Sequence, residues 1–250
     1  MTVKPLSRAV WLRLLFYGGV FCFLALLYCF RWTLYGAVIR MTEEKKAGQK
    51  TVAQRVEQFG RVVDQRLGPL FAAQGVPYPP ERIVFVGIKK DKQLEVHAAG
   101  KGQELRLIRS YPILCASGKL GPKLREGDRQ VPEGLYAIQL LNPNSLYHLS
   151  LRVNYPNDFD RVQGAKDGRT QLGGDIMIHG KNVSIGCLAM GDDAAEDLFI
   201  LAARSGIKNI RVILTPVDFR KETVTAAQLG QPAWVQGLYA DIARELIGLK

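Results

Sequence analysis

A cysteine and a histidine stand eight residues apart in DIMIHGKNVSIGCLAM, Asp175 to Met190. Cys187 could act as a nucleophile there, because a thiol needs a neighbouring base such as His179 to become thiolate near neutral pH. Gly186 lets the backbone approach a substrate closely. The amides of Gly186 and Cys187 could then face a developing oxyanion. A helix capped by Asp192 or Asp193 would follow, and its N-terminus would lower the thiol pKa. From residue types alone a second reading stays open, since free cysteines are usually packed inside and a lone histidine is often structural. Metal binding is disfavoured, because a zinc site needs at least three ligands and no second His or Cys lies nearby.

Other residues could serve the same site. The loop GKLGPKLREGD, Gly118 to Asp128, is basic and glycine-containing. It reads equally as a solvated turn or as a source of cations, Lys119, Lys123 and Arg125, for substrate carboxylates. His148 lies in a strand, where it could line a pocket or bond to backbone. Asp175 could orient His179 only if their strand is irregular. His97 and Cys115 read as structural residues.

The elements that must hold these groups follow from periodicity. Apolar residues from Val52 to Phe71 recur at spacings of three and four, predicting a helix over 43–74 that Gly75 and VPYPPE stop. From Arg82 the period changes to two. IVFVGIK, QLEVHA, ELRLIRSYPIL, GLYAIQL, YHLSLRV and the short DIMIHG read as strands, with a turn at NPNS. A helix to about Arg204, the strand NIRVILTP and a last amphipathic helix from about Ala233 complete the pattern. The fold class is therefore α+β, mostly β with flanking helices.

Leu14 to Phe30 is an uncharged, mostly bulky run bordered by Trp11 and Trp32. Its length sits at the short limit for a spanning helix. Lys4, Arg8 and Arg13 precede it with no acidic residue before Glu43, which keeps the N-terminus cytoplasmic. No small-residue cleavage site follows, so the expected layout is a cytoplasmic stretch 1–13, a single-pass inner-membrane anchor 14–34, an amphipathic linker helix 43–74, a periplasmic catalytic domain 82–217 and a helical extension 218–250. The formal charge of +11 supports this, because +6 of it lies in residues 1–50, beside the apolar run. A nucleic-acid binder would concentrate charge on its folded domain, so no nucleic-acid partner is expected. The cysteines form no CxxC pair, which argues against zinc ribbons and thioredoxin-like chemistry. No P-loop or dinucleotide fingerprint is present, and no cofactor is expected.

The IHG and S-x-G-C elements resemble the active-site motif of the L,D-transpeptidase (YkuD/ErfK-type) family. SYPILCASGKLGPKLREGDRQVPEGLY and LNPNSLYHLSLRVNYPNDFDR extend the resemblance to its YafK-like branch, over roughly 55–216. The resemblance implies a β-sandwich-like periplasmic catalytic domain. It also implies acyl transfer through a Cys thioester on peptidoglycan stem peptides, at the bond after meso-diaminopimelate. Cys187 matches the family nucleophile and His179 the base, with Ser184 and Gly186 at the S-x-G-C positions. Two residues depart from the commoner pattern: Ile185 replaces a His, and Ala189 replaces a basic or polar residue. The base and nucleophile are also closer than usual, as in the YafK-like branch. The acyl acceptor therefore stays open. An amine, including that of a wall-attached lipoprotein, gives a transpeptidase, and water gives a hydrolase. An inactive wall-binding scaffold is the reading from a different class.

Overall fold

The chain divides into two compact units, residues 1–49 and 50–250. The computed structural model describes Tyr28, Arg31 and residues 48–249. Tyr28 and Arg31 are helical and exposed. Apart from them, the expected anchor 14–34 lies outside the described residues, as does the stretch 1–13. Among the described residues, no helix is long and apolar enough to cross a membrane.

The second unit opens with helix α1 (Val52–Ala73); of the expected helix 43–74, residues 43–47 lie outside the described residues and 48–51 are not helical. Thr51 explains the boundary. Its hydroxyl accepts from the Gln54 amide while the Gln54 side chain accepts from the Thr51 amide, a reciprocal cap. At the other end Val76 N–H bonds Phe71 O across Gly75, which has a left-handed φ of 65°. The helix buries Val63, Leu67 and Phe71 in the main core.

Eight strands follow: β1 (Arg82–Ile88), β2 (Gln93–Ala99), β3 (Arg106–Pro112), β4 (Gly134–Ser145), β5 (His148–Val153), β6 (Met177–His179), β7 (Leu188–Ala189) and β8 (Ile210–Thr215). They form one mixed sheet in the order β3-β2-β1-β8-β4-β5-β6-β7. β1 and β8 run parallel, as do β6 and β7, and the other neighbours are antiparallel. The expected mostly-β domain with flanking helices is present, but its sheet is single rather than two facing sheets. The sheet curls until its ends meet. Ala189 N–H donates to Cys115 O (3.0 Å) and Leu114 N–H to Ala189 O (2.8 Å), so the segment after β3 bridges to β7. Gly87 of β1 permits this closure, since a Cβ there would lie 2.7 Å from Leu214 and 3.2 Å from Leu188.

Strand alternation sends side chains to two cores. Ile83 and Phe85 of β1 join Leu149, Leu151, Ile178 and Leu188 in the main core, beneath α1 and helix α3 (Asp192–Ser205). Val84, Val86 and Ile88 point the other way, onto Val235, Leu238, Tyr239, Ile242 and Leu246 of helix α4 (Trp234–Ile247). Each such buried side chain stabilises the fold by about 1.5–3 kcal/mol.

Two elements differ from the sequence pattern. β4 runs through the NPNS segment, where a turn was expected. Lys50 and Arg55 there supply tertiary partners, through Lys50 N–H to Asn144 Oδ1 (2.8 Å) and Arg55 Nε to Pro143 O (2.8 Å). Helix α2 (Asp158–Lys166) had no apolar stripe to reveal it, because Gly164 is its only buried residue. Its signal is the Asn157–Asp160 reciprocal cap.

Candidate active site

Three short strands set the site. Ile178 and Leu188 pair in the β6–β7 register and both enter the core. Their neighbours Met177, His179, Cys187 and Ala189 therefore share the opposite face. The Met177 amide donates to Cys187 Sγ at 3.4 Å, which extends the register one step and puts Cys187 diagonal to His179. Across β6 on the other side, Arg152 pairs with Met177 and Ser150 with His179.

Cys187 is a free, half-buried thiol, and so is Cys115. The Cys187 thiol donates to the Asp175 carbonyl at 3.5 Å. Ser184 clasps the Cys187 backbone at both ends: Cys187 N–H donates to Ser184 Oγ (2.9 Å) and Ser184 Oγ–H donates to Cys187 O (2.6 Å). Gly186 N–H donates to Ser117 Oγ (2.6 Å), and Ser117 Oγ–H in turn to Arg129 O (2.8 Å). The two amides expected to stand open for an oxyanion thus both hold serine hydroxyls. Gly186 adopts φ +96°, a left-handed turn that brings these two successive amides out of the strand.

His179 is 2% exposed, with the Tyr147 ring 4.8 Å from its own. Its Nδ1 lies 2.7 Å from Gly180 O. A carbonyl can only accept, so Nδ1 carries the hydrogen and Nε2 keeps a free lone pair. Burial lowers the imidazole pKa, against the carbonyl bond that raises it. Burial raises the Cys187 thiol pKa; Asp175 adds to this, while the Met177 amide and Lys123 oppose it. The resting pair is therefore neutral thiol and neutral imidazole. The expected lowering by a helix N-terminus does not occur. α3 begins five residues beyond Cys187 and carries Asp192 and Asp193 in its first turn.

The remaining sequence candidates are placed as follows. Lys123 is buried, and its ammonium bonds Asp128 Oδ1 (2.6 Å) and Arg125 O (2.9 Å). It fastens the basic loop internally, and it also lines the cleft beside Gly186. Lys119 and Arg125 are exposed on that loop. His148, with φ +72°, turns towards the helices, where Nε2 meets Glu196 Oε1 (3.0 Å) and the ring packs edge-on against Phe59. That places it as a strut between β5 and α1–α3. Asp175 does not orient His179; its carboxylate bonds Arg152 Nη2 at 2.7 Å. Among the described residues, no group of three or more His, Cys, Asp or Glu is gathered as metal ligands would be.

The structure adds residues that the sequence reading passed over. A cleft of about 170 Å³ lies against Ile185 and Gly186, lined also by Arg129 and Asp175. Gly173 and Gly174 connect it to a cavity of about 350 Å³ that holds Arg152, Arg161 and Asn154. The pairing of β5 with β6, a contact 25 residues apart in sequence between Arg152 and Met177, brings Arg152 to the strand that adjoins the thiol.

Comparison with known proteins adds the following. The family model of the L,D-transpeptidase catalytic domain (YkuD) matches residues 81–217, more than half of the chain. An Escherichia coli (strain K12) protein provisionally named L,D-transpeptidase YafK is 38% identical over 119 residues, covering 46% of this chain and 46% of that protein. This chain thus spans just under half of that relative's length. Among solved structures, the helical cell shape determining protein Pgp2 from Campylobacter jejuni is 26% identical with a TM-score of 0.45, covering 57% of this chain and 49% of that one. Bdellovibrio bacteriovorus Bd1075 is 22% identical with a TM-score of 0.40, covering 68% of this chain and 57% of that one.

Proposed function

Because this chain belongs to the L,D-transpeptidase (YkuD) catalytic-domain family, we propose that it transfers acyl groups of peptidoglycan stem peptides through a thioester on Cys187. One observation carries the reading: the His179 Nδ1–Gly180 O bond leaves Nε2 as an acceptor on the same strand-pair face as a free thiol. The S–H turns from the Asp175 carbonyl to Nε2, and the sulfur attacks the carbonyl carbon of the donor's diaminopimelate. The resulting oxyanion is a stronger acceptor than a hydroxyl. It displaces the Ser117 and Ser184 oxygens from the Gly186 and Cys187 amides. The C–N bond breaks, and the leaving amine takes the proton from His179. An incoming amine or water then gives its proton to Nε2 as it attacks the thioester carbonyl; the C–S bond breaks, and the departing Cys187 sulfur takes that proton back.

The test is intact-mass spectrometry of the full chain with purified diaminopimelate-containing muropeptides. A stem-peptide adduct on Cys187, absent from Cys187→Ala, is the expected result; an adduct-free chain that still alters muropeptides would refute the thioester. Joined products identify an amine acceptor, including a lipoprotein amine if a protein-linked stem is supplied, and shortened stems identify water. Residues 14–34 are taken as an inner-membrane anchor with the domain in the periplasm, on the support of their apolar run and the preceding positive charges. Periplasmic accessibility of the domain to added protease in spheroplasts tests that placement.

A further inference from the structure

Arg152 stands on the site face of β5, directly across from Met177, whose amide touches the Cys187 sulfur. Its guanidinium is anchored at one end only. Nη2 bonds Asp175 Oδ1, a carboxylate that is itself 77% exposed. Nε is sealed from solvent and has no hydrogen-bond partner. Leaving a buried donor unpaired is unfavourable, so this arrangement suits a second acceptor. The adjoining cavity of about 350 Å³ can admit one. Arg161 also lines that cavity, held only by a long 3.7 Å contact to the fully exposed Asp158. Asn154 and Gln139 add polar walls. Two guanidiniums in one polar cavity suit a carboxylate, which a guanidinium grips through two parallel bonds.

We propose that Arg152 is the specificity residue for the acyl donor, binding the free carboxylate at the far end of the diamino acid whose other carboxyl carbon Cys187 attacks. This rests on the acyl-transfer reading above and names the group that the donor must carry. The geometry suits it. Neighbouring strands lie about 4.8 Å apart, so Arg152 and Cys187, flanking Met177, are about 10 Å apart at the backbone. A diamino dicarboxylic acid holds its two carboxyl carbons at opposite ends of one carbon chain, so one end can reach the thiol while the other meets the guanidinium. The incoming carboxylate takes Nε and displaces Asp175 from Nη2.

The test measures binding and chemistry separately, with the full chain and two tetrapeptide stems that differ only in whether that carboxylate is free or amidated. In a Cys187→Ala background, calorimetry should show roughly tenfold or more tighter binding of the free form. Adding Arg152→Gln should bring the two affinities together by weakening the free form alone, and Arg152→Lys should restore part of the difference. Equal affinities in the Arg152-containing protein, no binding of either stem, or a preference that survives Arg152→Gln would overturn the proposal. So would an equal loss for both stems, which marks a merely structural arginine. With Cys187 present, the Arg152→Gln chain should still form the thioester, with KM raised for the free form and kcat little changed. If the binding preference holds but neither stem acylates Cys187, the acyl-transfer reading fails and the carboxylate site stands.

Discussion

Neutral imidazole beside neutral thiol has consequences that can be measured residue by residue. Burial holds the His179 pKa below its usual value of about 6.5, so the base form persists into mildly acidic solution. The acid limb of kcat/KM should therefore fall below pH 6.5, and a limb above it would indicate a thiolate–imidazolium pair instead. The thiol is shifted the other way, so alkylation of Cys187 by iodoacetamide should keep accelerating past about pH 8.5. Cys187→Ala should abolish adduct formation while moving stability by less than about 1 kcal/mol in a denaturant titration. Ser184→Ala loses both bonds that clasp the nucleophile's backbone, and slight misplacement is expensive in catalysis. We expect acylation to slow by about 10- to 100-fold, with the melting temperature nearly unchanged. The spacing of His179, Ser184, Gly186 and Cys187 was legible in the sequence because all four fall within one short segment. Arg129 and Arg152 were not, since only the curl of a loop brings Arg129 to the cleft and only strand pairing brings Arg152 to the cavity beside it. Lys123 looked like a free cation because sequence shows charge but not the Asp128 that neutralises it.

At the scale of elements, the loop between β3 and β4 is fixed by a buried ion pair. Lys89 at the end of β1 meets Glu133 (2.9 Å) and also bonds Gly121 O and Val131 O, while Tyr239 of α4 donates to the same carboxylate. Lys89→Met would leave Glu133 charged and buried, at a cost of about 3–5 kcal/mol. It should also release Ser117 from Gly186 and lower activity; equilibrium unfolding with a parallel adduct assay checks both. The cap of α2 carries a pH dependence. Burial pushes the Asp160 carboxyl up to about 6, although the Asn157 amide and the Tyr136 hydroxyl oppose it. The folded state then binds more protons than the unfolded one, whose value is about 3.9. Stability is fullest below pH 4 as far as this group is concerned, and it falls by roughly 2–3 kcal/mol as pH rises to 7. Asp160→Asn should flatten that slope in thermal melts. Strands with strict alternation were readable here. β7, only two residues long, was not, because its pairing depends on β6 and on the distant Cys115.

The whole unit is larger than the stretch that matches the family. Phe71 and Leu67 of α1 fill the main core from one side, and α4 covers Val84, Val86 and Ile213 on the other. A chain beginning at Lys50 should fold cooperatively, whereas one spanning only 82–217 should expose both apolar faces and fail to melt as a single transition, as circular dichroism would show. Phe71→Ala alone should cost about 3–5 kcal/mol. The same architecture sets the order in which the molecule fails. Cys187 lies beside the seam where the curled sheet meets itself, a junction of a few backbone bonds between β7 and the segment after β3. Gentle warming should part this join before the cores give way. Deuterium uptake at Leu114 and Ala189 would then rise, and catalysis would fade, several degrees ahead of the calorimetric peak.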